Sequence, residues 1–299
     1  MHLGLTPWNF TNTSARSLQA QAVRAEAMGY ESFWLPENHF NAGAIPDPLM
    51  LLAGVAAATS TIRLATTSYL LTLRHPLQAA EQVAVLDNMS EGRVLLGVGR
   101  GFAPDMLRAF NVVPKEKRKV FEASLEVMRR AWSGDAVPVG EGSSVVLDPL
   151  PVQKPHPPIW VAAFGPKALT QAGRLGLPYL ASPMETLGVL EENHAVHRAA
   201  QEERVAEVPL MRTVYIARNN RQARDVREAL AKVDRPRTGD APEVDDWAIV
   251  GEQAAVQDRL VEYQERLGMT HLVATRLRIK GFDHAELERS LETLAATVG

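Results

Sequence analysis

The chain has 299 residues, of which 46% are hydrophobic and 22% are charged, a composition typical of a globular protein with a large core. Its formal net charge of −3 argues against a nucleic-acid or anionic-membrane binder, since those need a concentrated positive field. It has no cysteine, no signal-peptide pattern and no apolar run near the roughly 18 residues that span a bilayer, so a cytoplasmic protein without disulfides or zinc–thiolate sites is expected.

The first hundred residues predict strands that alternate with helices. Short apolar runs predict strands at 2–7, 32–36, 62–71 and 93–99. Helical spacing of apolar residues predicts helices at 14–30, 47–60 and 75–92. The second of these helices opens with Asp47 and Pro48, a capping residue followed by proline at the first helical position. This alternation with short connections indicates a parallel sheet with helices on its faces.

The rest of the chain continues the alternation less evenly. Further strands are predicted at 159–163, 178–182, 209–217 and 270–278. Further helices are predicted at 115–132, 166–175, 185–206, 221–233, 252–267 and 283–298. The segment 133–158 predicts a long loop with a small hairpin, and 235–247 predicts a mobile excursion. Eight strands separated by helices predict a closed (β/α)8 TIM barrel, an α/β fold in which residues 1–299 form one domain with insertion loops at the C-terminal face.

The glycine-rich stretch after the fourth strand, GRVLLGVGRGFAPDM, does not fit the dinucleotide fingerprint. Gly97 and Gly99 match its first two glycines, but Phe102 occupies the position of the third. Arg100 stands between two glycines, where small neighbours let a ligand approach the backbone. Two readings stay open: its guanidinium binds an anion or a polar ring edge, or it forms a surface salt bridge.

Other polar residues are expected at the ends of strands, where barrel enzymes hold their active sites. The segment ENHF brings Glu37 and His39 together as a candidate acid/base pair or as a hydrogen-bonded loop. The stretch FGPKALTQAG opens a helix, and its first-turn N–H groups favour an anion, although an ordinary turn-to-helix junction has the same pattern. With neighbouring aromatic residues, these ends predict an elongated apolar pocket with one anion-binding end; no metal site is predicted.

Three stretches of the chain resemble the bacterial luciferase-like flavin-dependent monooxygenases. They are FWLPENHF, LRHPLQAAEQVAVLDNMSEGRVLLGVGRG and HPPIWVAAFGPKALTQAG, and the resemblance extends over nearly the whole chain. It implies an enzyme that uses reduced FMN from a separate flavin reductase, together with dioxygen, to oxygenate a small organic substrate. It also implies a homodimer formed through the second and third helices.

The resemblance implies a set of flavin-binding residues. A non-proline cis peptide bond under the flavin ring corresponds to Thr67 and Ser68. Arg100 matches an arginine near the flavin, and Arg118 matches a phosphate-binding arginine. The phosphate-binding turn after the fifth strand corresponds to Phe164, Gly165, Pro166 and Ala168, where Phe164 and Gly165 replace a Glu-Ser pair of the family.

One departure from the luciferases concerns catalysis. Luciferases carry two adjacent histidines after the second strand, whereas this chain has Asn38 followed by His39, which are the candidate catalytic residues. Three other interpretations stay open, and Asn38 motivates the second of them. They are a hydride-transfer oxidoreductase of the same fold that uses a deazaflavin coenzyme, a flavin-binding protein without turnover, and an unrelated barrel enzyme that binds a sugar phosphate. The sequence does not identify the substrate.

Overall fold

The computed structural model describes residues 1–233 and 242–298, which divide into two compact units. The first unit consists of Met1–Asn12, Arg24–Phe33 and Ala163–Gly299. The second unit consists of Thr13–Val23 and Trp34–Ala162. None of the helices in the described residues is long and apolar enough to cross a membrane.

Strands and helices alternate along the described residues. The strands are β1 (His2–Leu5), β2 (Ser32–Leu35), β3 (Arg63–Thr66), β4 (Tyr69–Leu70), β5 (Val94–Gly99), β6 (Val137–Gly140), β7 (Ser143–Val145), β8 (Ile159–Ala162), β9 (Tyr179–Leu180), β10 (Pro209–Ile216), β11 (Ala248–Gly251) and β12 (His271–Thr275). The helices are α1 (Ala15–Ala27), α2 (Pro48–Ala58), α3 (Pro76–Met89), α4 (Pro104–Ala109), α5 (Lys117–Trp132), α6 (Pro166–Arg174), α7 (Leu187–Ala199), α8 (Asn220–Ala231), α9 (Gln253–Leu267) and α10 (His284–Val298).

Parallel strands form the centre of the first unit, in the order β11, β10, β12, β1 and the start of β2. A bridge between Ala181 and Leu210 adds the chain after β9 beside β10. All eight residues of β10 are buried, as expected for a parallel strand covered on both faces. Helix α10 packs against this strand, where Ser290 Oγ accepts a hydrogen bond from Ile216 N at 2.8 Å.

Parallel strands also form the centre of the second unit, in the order β2, β3, β5 and β8, with β4 beside β5. All six residues of β5 are buried, and Trp34 of β2 stacks on Trp160 of β8 with ring centroids 5.3 Å apart. Asp47 caps α2 as predicted, because its side chain accepts a hydrogen bond from Met50 N at 3.1 Å. Strands β6 and β7 form the predicted hairpin within 133–158.

The α/β class with parallel strands is confirmed, but several element boundaries differ from the prediction. The strand predicted over 62–71 is broken into β3 and β4. The helix predicted over 185–206 ends at Ala199, because no residue from 200 to 208 is buried and a helix there would have no face to pack. Helix α4 and strand β11 were missed; β11 is four residues long and pairs with β10. Most of the excursion predicted at 235–247 lies outside the described residues.

Candidate active site

A buried carboxylate follows β2 in the second unit. The Glu37 side chain has no solvent exposure. It accepts hydrogen bonds from Leu70 N (2.9 Å), from both terminal nitrogens of Arg74 (3.1 and 2.8 Å) and from His39 Nε2 (2.9 Å). The polar groups around Glu37 therefore compensate for the loss of water that burial imposes on a carboxylate.

Arg74 is held on two sides. Its guanidinium carbon lies 4.0 Å from the centre of the Tyr69 ring, and its Nη1 also donates to Leu70 O at 2.7 Å. Burial acts to lower the pKa of Arg74, but the hydrogen bonds to Glu37 and the nearby negative charge outweigh it and raise that pKa. Burial also raises the pKa of Tyr69, whose hydroxyl donates to Gln82 at 2.9 Å.

Aromatic rings stand beside His39. The Phe110 ring meets the His39 ring edge-on at 4.8 Å, and Phe40 stacks on Phe110 at 5.8 Å. Phe40 is 73% exposed, and its φ of 63° lies in the left-handed region, which is uncommon for a residue other than glycine. An exposed aromatic ring thus lies beside a His39 side chain that is itself only 8% exposed.

Asn38 braces the loop in which it lies. Its backbone N–H donates to Ile45 O at 3.0 Å, and its side-chain oxygen accepts from Ile45 N at 3.0 Å. This pair of bonds closes the segment 38–45. The structure therefore gives Asn38 a loop-closing contact, while His39 contacts Glu37 and the aromatic rings.

The predicted non-proline cis peptide bond is present between Thr67 and Ser68. Just before it, Thr66 Oγ1 donates to Gly97 O at 2.8 Å and ties β3 to β5. A Cβ atom placed on Gly99 would lie 2.2 Å from Ser68 Oγ, so the side chain at 68 requires a glycine on β5. Thr67 and Ser68 thus lie against the end of β5, which leads directly into Arg100.

Three cationic side chains gather where β5 ends and α5 begins. Arg100 is only 6% exposed; its Nη2 donates to Ala162 O at 3.0 Å, and its guanidinium lies 5.1 Å from the Phe121 ring centre. Burial and the charge of Arg118 lower the pKa of Arg100 to about 10. Lys117 Nζ donates to Gly101 O at 2.9 Å, and its pKa is lowered by burial and by the charges of Arg100 and Arg118.

This cation cluster, defined as Arg100, Lys117 and Arg118, is suited to bind an anion. The three charges are close enough to disfavour one another, and an anion among them would relieve that repulsion. Lys117 and Arg118 also open the 16-residue helix α5, whose N-terminal N–H groups favour negative charge. Sequence reasoning singled out Arg100 and Arg118 but missed Lys117; the basic run KEKRK at the helix start was the available signal.

The remaining predicted residues belong to the first unit. Phe164 is 72% exposed, and Gly165 has a φ of 79° and precedes α6, which begins at Pro166. Ala168 N–H donates to Gly165 O at 3.0 Å, as at an ordinary helix start. Among residues 1–233 and 242–298, no group of three or more His, Asp or Glu side chains is placed to hold a metal ion.

Comparison with known proteins assigns the family. The family model for luciferase-like monooxygenase matches residues 4–277 of the 299-residue chain. The chain therefore belongs to the luciferase-like monooxygenase family, and the predicted resemblance is confirmed. The oxygenase component of the flavin-dependent trigonelline monooxygenase of Acinetobacter baylyi is 28% identical over 214 residues, which cover 67% of this chain and 58% of the relative. The chain spans about half to two thirds of the length of other curated relatives that it matches.

Solved structures have the same fold. Monooxygenase RslO1 from Streptomyces bottropensis has a TM-score of 0.81 at 25% identity and covers 100% of this chain and 98% of its own. The oxygenating constituent of 3,6-diketocamphane monooxygenase from Pseudomonas putida, in complex with FMN, has a TM-score of 0.81 at 21% identity over 100% and 97%. The coenzyme F420-dependent tetrahydromethanopterin reductase of Methanopyrus kandleri has a TM-score of 0.74 at 17% identity over 98% and 96%. The likeness to these last two shows the fold alone.

Proposed function

We propose that this protein is a flavin-dependent monooxygenase that uses reduced FMN and dioxygen to oxygenate a small organic substrate. The observation that carries the proposal is the cation cluster at the start of α5, in a chain that belongs to the luciferase-like monooxygenase family. FMN ends in a phosphate dianion, and crowded cations at a helix N-terminus fit such a group. The FMN bound to the diketocamphane enzyme of the same fold supports this choice.

In this proposal, different residues of the second unit bind the phosphate of FMN, contact its ring system and face the substrate. Arg100, Lys117 and Arg118 would hold the phosphate of FMN, and Thr67 and Ser68 would contact its ring system. When bound, reduced FMN supplies the electrons that activate dioxygen. The exposed Phe40 ring and the half-buried Phe110 ring would offer an apolar surface to an organic substrate, and they would limit the access of water to His39. The start of α6 is a separate candidate anion site in the first unit.

Partners and assembly belong to the same proposal. The name "oxygenase component" of the trigonelline relative supports a separate reductase that supplies reduced FMN. We further propose that the protein is a cytoplasmic homodimer, that residues 1–299 form a single domain, and that eight strands close into a (β/α)8 TIM barrel. The bridge between Ala181 and Leu210 within the first unit is consistent with such closure.

A hydride-transfer reaction with a deazaflavin coenzyme is the second candidate. It is favoured by the shared fold with the coenzyme F420-dependent reductase of Methanopyrus kandleri. The cation cluster would then hold the phosphate group of that coenzyme. A third candidate, flavin binding without turnover, is favoured by Asn38, whose side chain closes a loop where luciferases have a histidine.

The binding part of the proposal is tested with two flavins that differ only in the phosphate. Reduced FMN and reduced riboflavin are titrated anaerobically into the protein, and we expect FMN to bind more tightly. Arg118→Met should remove most of this preference and weaken FMN binding roughly 10- to 100-fold, because a charge-assisted contact is worth about 1.5–3 kcal/mol. Arg130→Met, at the opposite end of α5, is the matched control and should bind FMN like the parent.

The reaction is tested by mixing the reduced-FMN complex with dioxygen and following the flavin absorbance. A monooxygenase should slow or alter the return to oxidised flavin relative to free FMN. In the binding test, equal affinity for reduced FMN and reduced riboflavin in both the parent protein and Arg118→Met would overturn the assignment of the phosphate to the cation cluster. Binding with an unaltered reoxidation trace would favour flavin binding without turnover. Tighter binding of coenzyme F420 than of FMN would favour hydride transfer.

A further inference from the structure

The contacts of Glu37 determine which nitrogen of His39 carries a proton. A carboxylate only accepts hydrogen bonds, so the 2.9 Å contact between Glu37 Oε1 and His39 Nε2 requires a proton on Nε2. Within the described part of the chain, Nδ1 of His39 has no hydrogen-bond partner. In the neutral ring Nδ1 therefore keeps its lone pair and is the nitrogen left to accept a bond from a bound molecule.

Arg74 sets the charge of this arrangement. It donates to both oxygens of Glu37, at 3.1 and 2.8 Å, so the buried carboxylate is already paired with a cation. These two bonds fix the orientation of the carboxylate that contacts His39. The negative charge of Asp47 also raises the pKa of Arg74, so Arg74 stays a cation beside Glu37.

We propose that Glu37 and Arg74 are positioning residues that hold His39 in its neutral Nε2–H tautomer, so that Nδ1 accepts a hydrogen bond from a hydroxyl or N–H group of the substrate. The geometry gives three further reasons. Leu70 N–H fixes Glu37 from the backbone of β4, the Tyr69 ring fixes Arg74, and Phe110 fixes the plane of the histidine ring. The role of the acceptor in turnover rests on the proposed function, but the tautomer does not.

The tautomer is measured directly in the flavin-free protein. Long-range ¹H–¹⁵N correlation spectra of ¹⁵N-histidine-labelled protein distinguish a proton-bearing ring nitrogen from a bare one, and the His39→Gln variant assigns the signals. We expect a protonated Nε2 and a bare Nδ1 for His39. A protonated Nδ1 in the parent protein would overturn the proposal without any further variant.

Glu37→Gln should reverse the tautomer. Leu70 N–H and Arg74 Nη1 both donate to Oε2, whereas at Oε1 only Arg74 Nη2 stays a donor once His39 changes its tautomer. The amide oxygen is therefore expected at the Oε2 position, and the amide NH2 would face His39. The ring must then accept at Nε2 and carry its proton on Nδ1. Arg74→Lys keeps the positive charge and should retain the parent tautomer. An unchanged His39 spectrum in Glu37→Gln would contradict the proposal.

Glu31→Gln is the matched control. His2 and Glu31 form a histidine–carboxylate pair at 2.6 Å in which both side chains are more than half exposed. This variant should leave the His39 signals unchanged. In turnover with reduced FMN, Glu37→Gln should lower kcat by about 10²-fold or more while FMN binding changes little, because a histidine in the wrong tautomer cannot take its proton. Absence of turnover in the parent protein would count against the proposed function and would leave the tautomer result standing.

Discussion

Arg93 binds together the end of α2 and the start of β5. Its guanidinium donates five hydrogen bonds, to Ser90 O, to the hydroxyl and carbonyl of Thr59, to Ile62 O and to Ala56 O, at 2.8 to 3.1 Å. The carbonyls at the C-terminal end of a helix have no partner within the helix, so this side chain satisfies groups that α2 leaves open. One arginine thus fixes the packing of two elements.

Arg93→Met should therefore lower the free energy of unfolding by about 2–4 kcal/mol, because several buried carbonyls lose their donor at once. Urea unfolding followed by circular dichroism measures the change. Arg16→Met is the control, since Arg16 is exposed on α1 in the same unit, and its stability should stay within about 0.5 kcal/mol of the parent. Equal midpoints for the two variants would contradict a structural role for Arg93.

Asp87 has a similar role on α3. It is fully buried and accepts hydrogen bonds from the backbone and the side chain of Gln153, at 2.9 and 2.7 Å. Asp87 and Arg93 both belong to the long stretch that most clearly indicated the family. The sequence identified them as a pattern but could not give their role, because that role depends on carbonyls and a loop that only the fold brings to them.

At the scale of elements, the junction of β3 and β4 shapes the candidate site. Leu64 of β3 lies opposite Val94, whereas Tyr69 of β4 lies opposite Val98, so the pairing with β5 shifts by one residue across Thr67 and Ser68. The shift brings Ser68 so close to Gly99 that no larger residue fits there. A continuous strand over 62–71, as predicted, would have kept one register.

Gly99→Ala should be destabilising by about 1–3 kcal/mol, because the new methyl group would also lie 3.0 Å from Ser68 Cβ and 3.2 Å from Leu70 Cδ2, which cannot both move freely. Adding Ser68→Ala removes the 2.2 Å contact and should recover part of the loss, as a double-mutant cycle would show. The free energy of unfolding from urea titration is the measurement.

Gly188→Ala is the matched control for this substitution. Gly188 lies in the first turn of α7, and no atom stands within 4 Å of a Cβ added there. Alanine favours a helix over glycine, so the stability should be unchanged or slightly raised. A loss at Gly188 as large as at Gly99 would mean that close approach to Ser68 does not explain the effect.

Over the whole molecule, the alternation of strands and helices could be predicted because buried parallel strands such as 94–99 are almost continuously apolar. The cation cluster could be predicted in part: Arg100 follows a strand and Arg118 opens a helix, but Lys117 was missed. Of the network of Glu37, His39 and Arg74, the sequence predicted only the pair Glu37 and His39. Arg74 reaches Glu37 across 37 positions of sequence, and no local pattern encodes that contact.

The first unit also holds a buried histidine whose titration affects the stability of the whole chain. His194 of α7 is 3% exposed, and the centre of its ring lies 5.1 Å from that of Tyr179. Among the described residues, its Nε2 has no hydrogen-bond partner. Burial, together with the positive charges of Arg198, His197 and Arg212, lowers its pKa to about 3. Nearby, burial raises the pKa of the Glu185 carboxyl.

These shifts predict how stability depends on pH. The unfolded chain protonates His194 below its ordinary pKa near 6.5, while the folded chain does so only near 3, so unfolding takes up a proton between those values. The contribution of neutral His194 is therefore complete above pH 6.5 and is lost at roughly 1.4 kcal/mol per pH unit as the pH falls. Glu185 has the opposite effect on stability. Its pKa is raised in the folded state, so above its ordinary pKa near 4.5 the folded chain keeps a proton that the unfolded chain has lost, and stability falls as the pH rises.

Comparison of the parent with His194→Gln separates the two effects, because both proteins keep Glu185. Between pH 7.5 and pH 5, the parent should lose about 2 kcal/mol of unfolding free energy relative to the variant, whatever their difference at pH 7.5. Urea unfolding at closely spaced pH values measures the two curves. Parallel curves would show that His194 is protonated in the folded protein or reached by water, and a parent curve that falls less steeply than the variant's would reverse the sign of the argument.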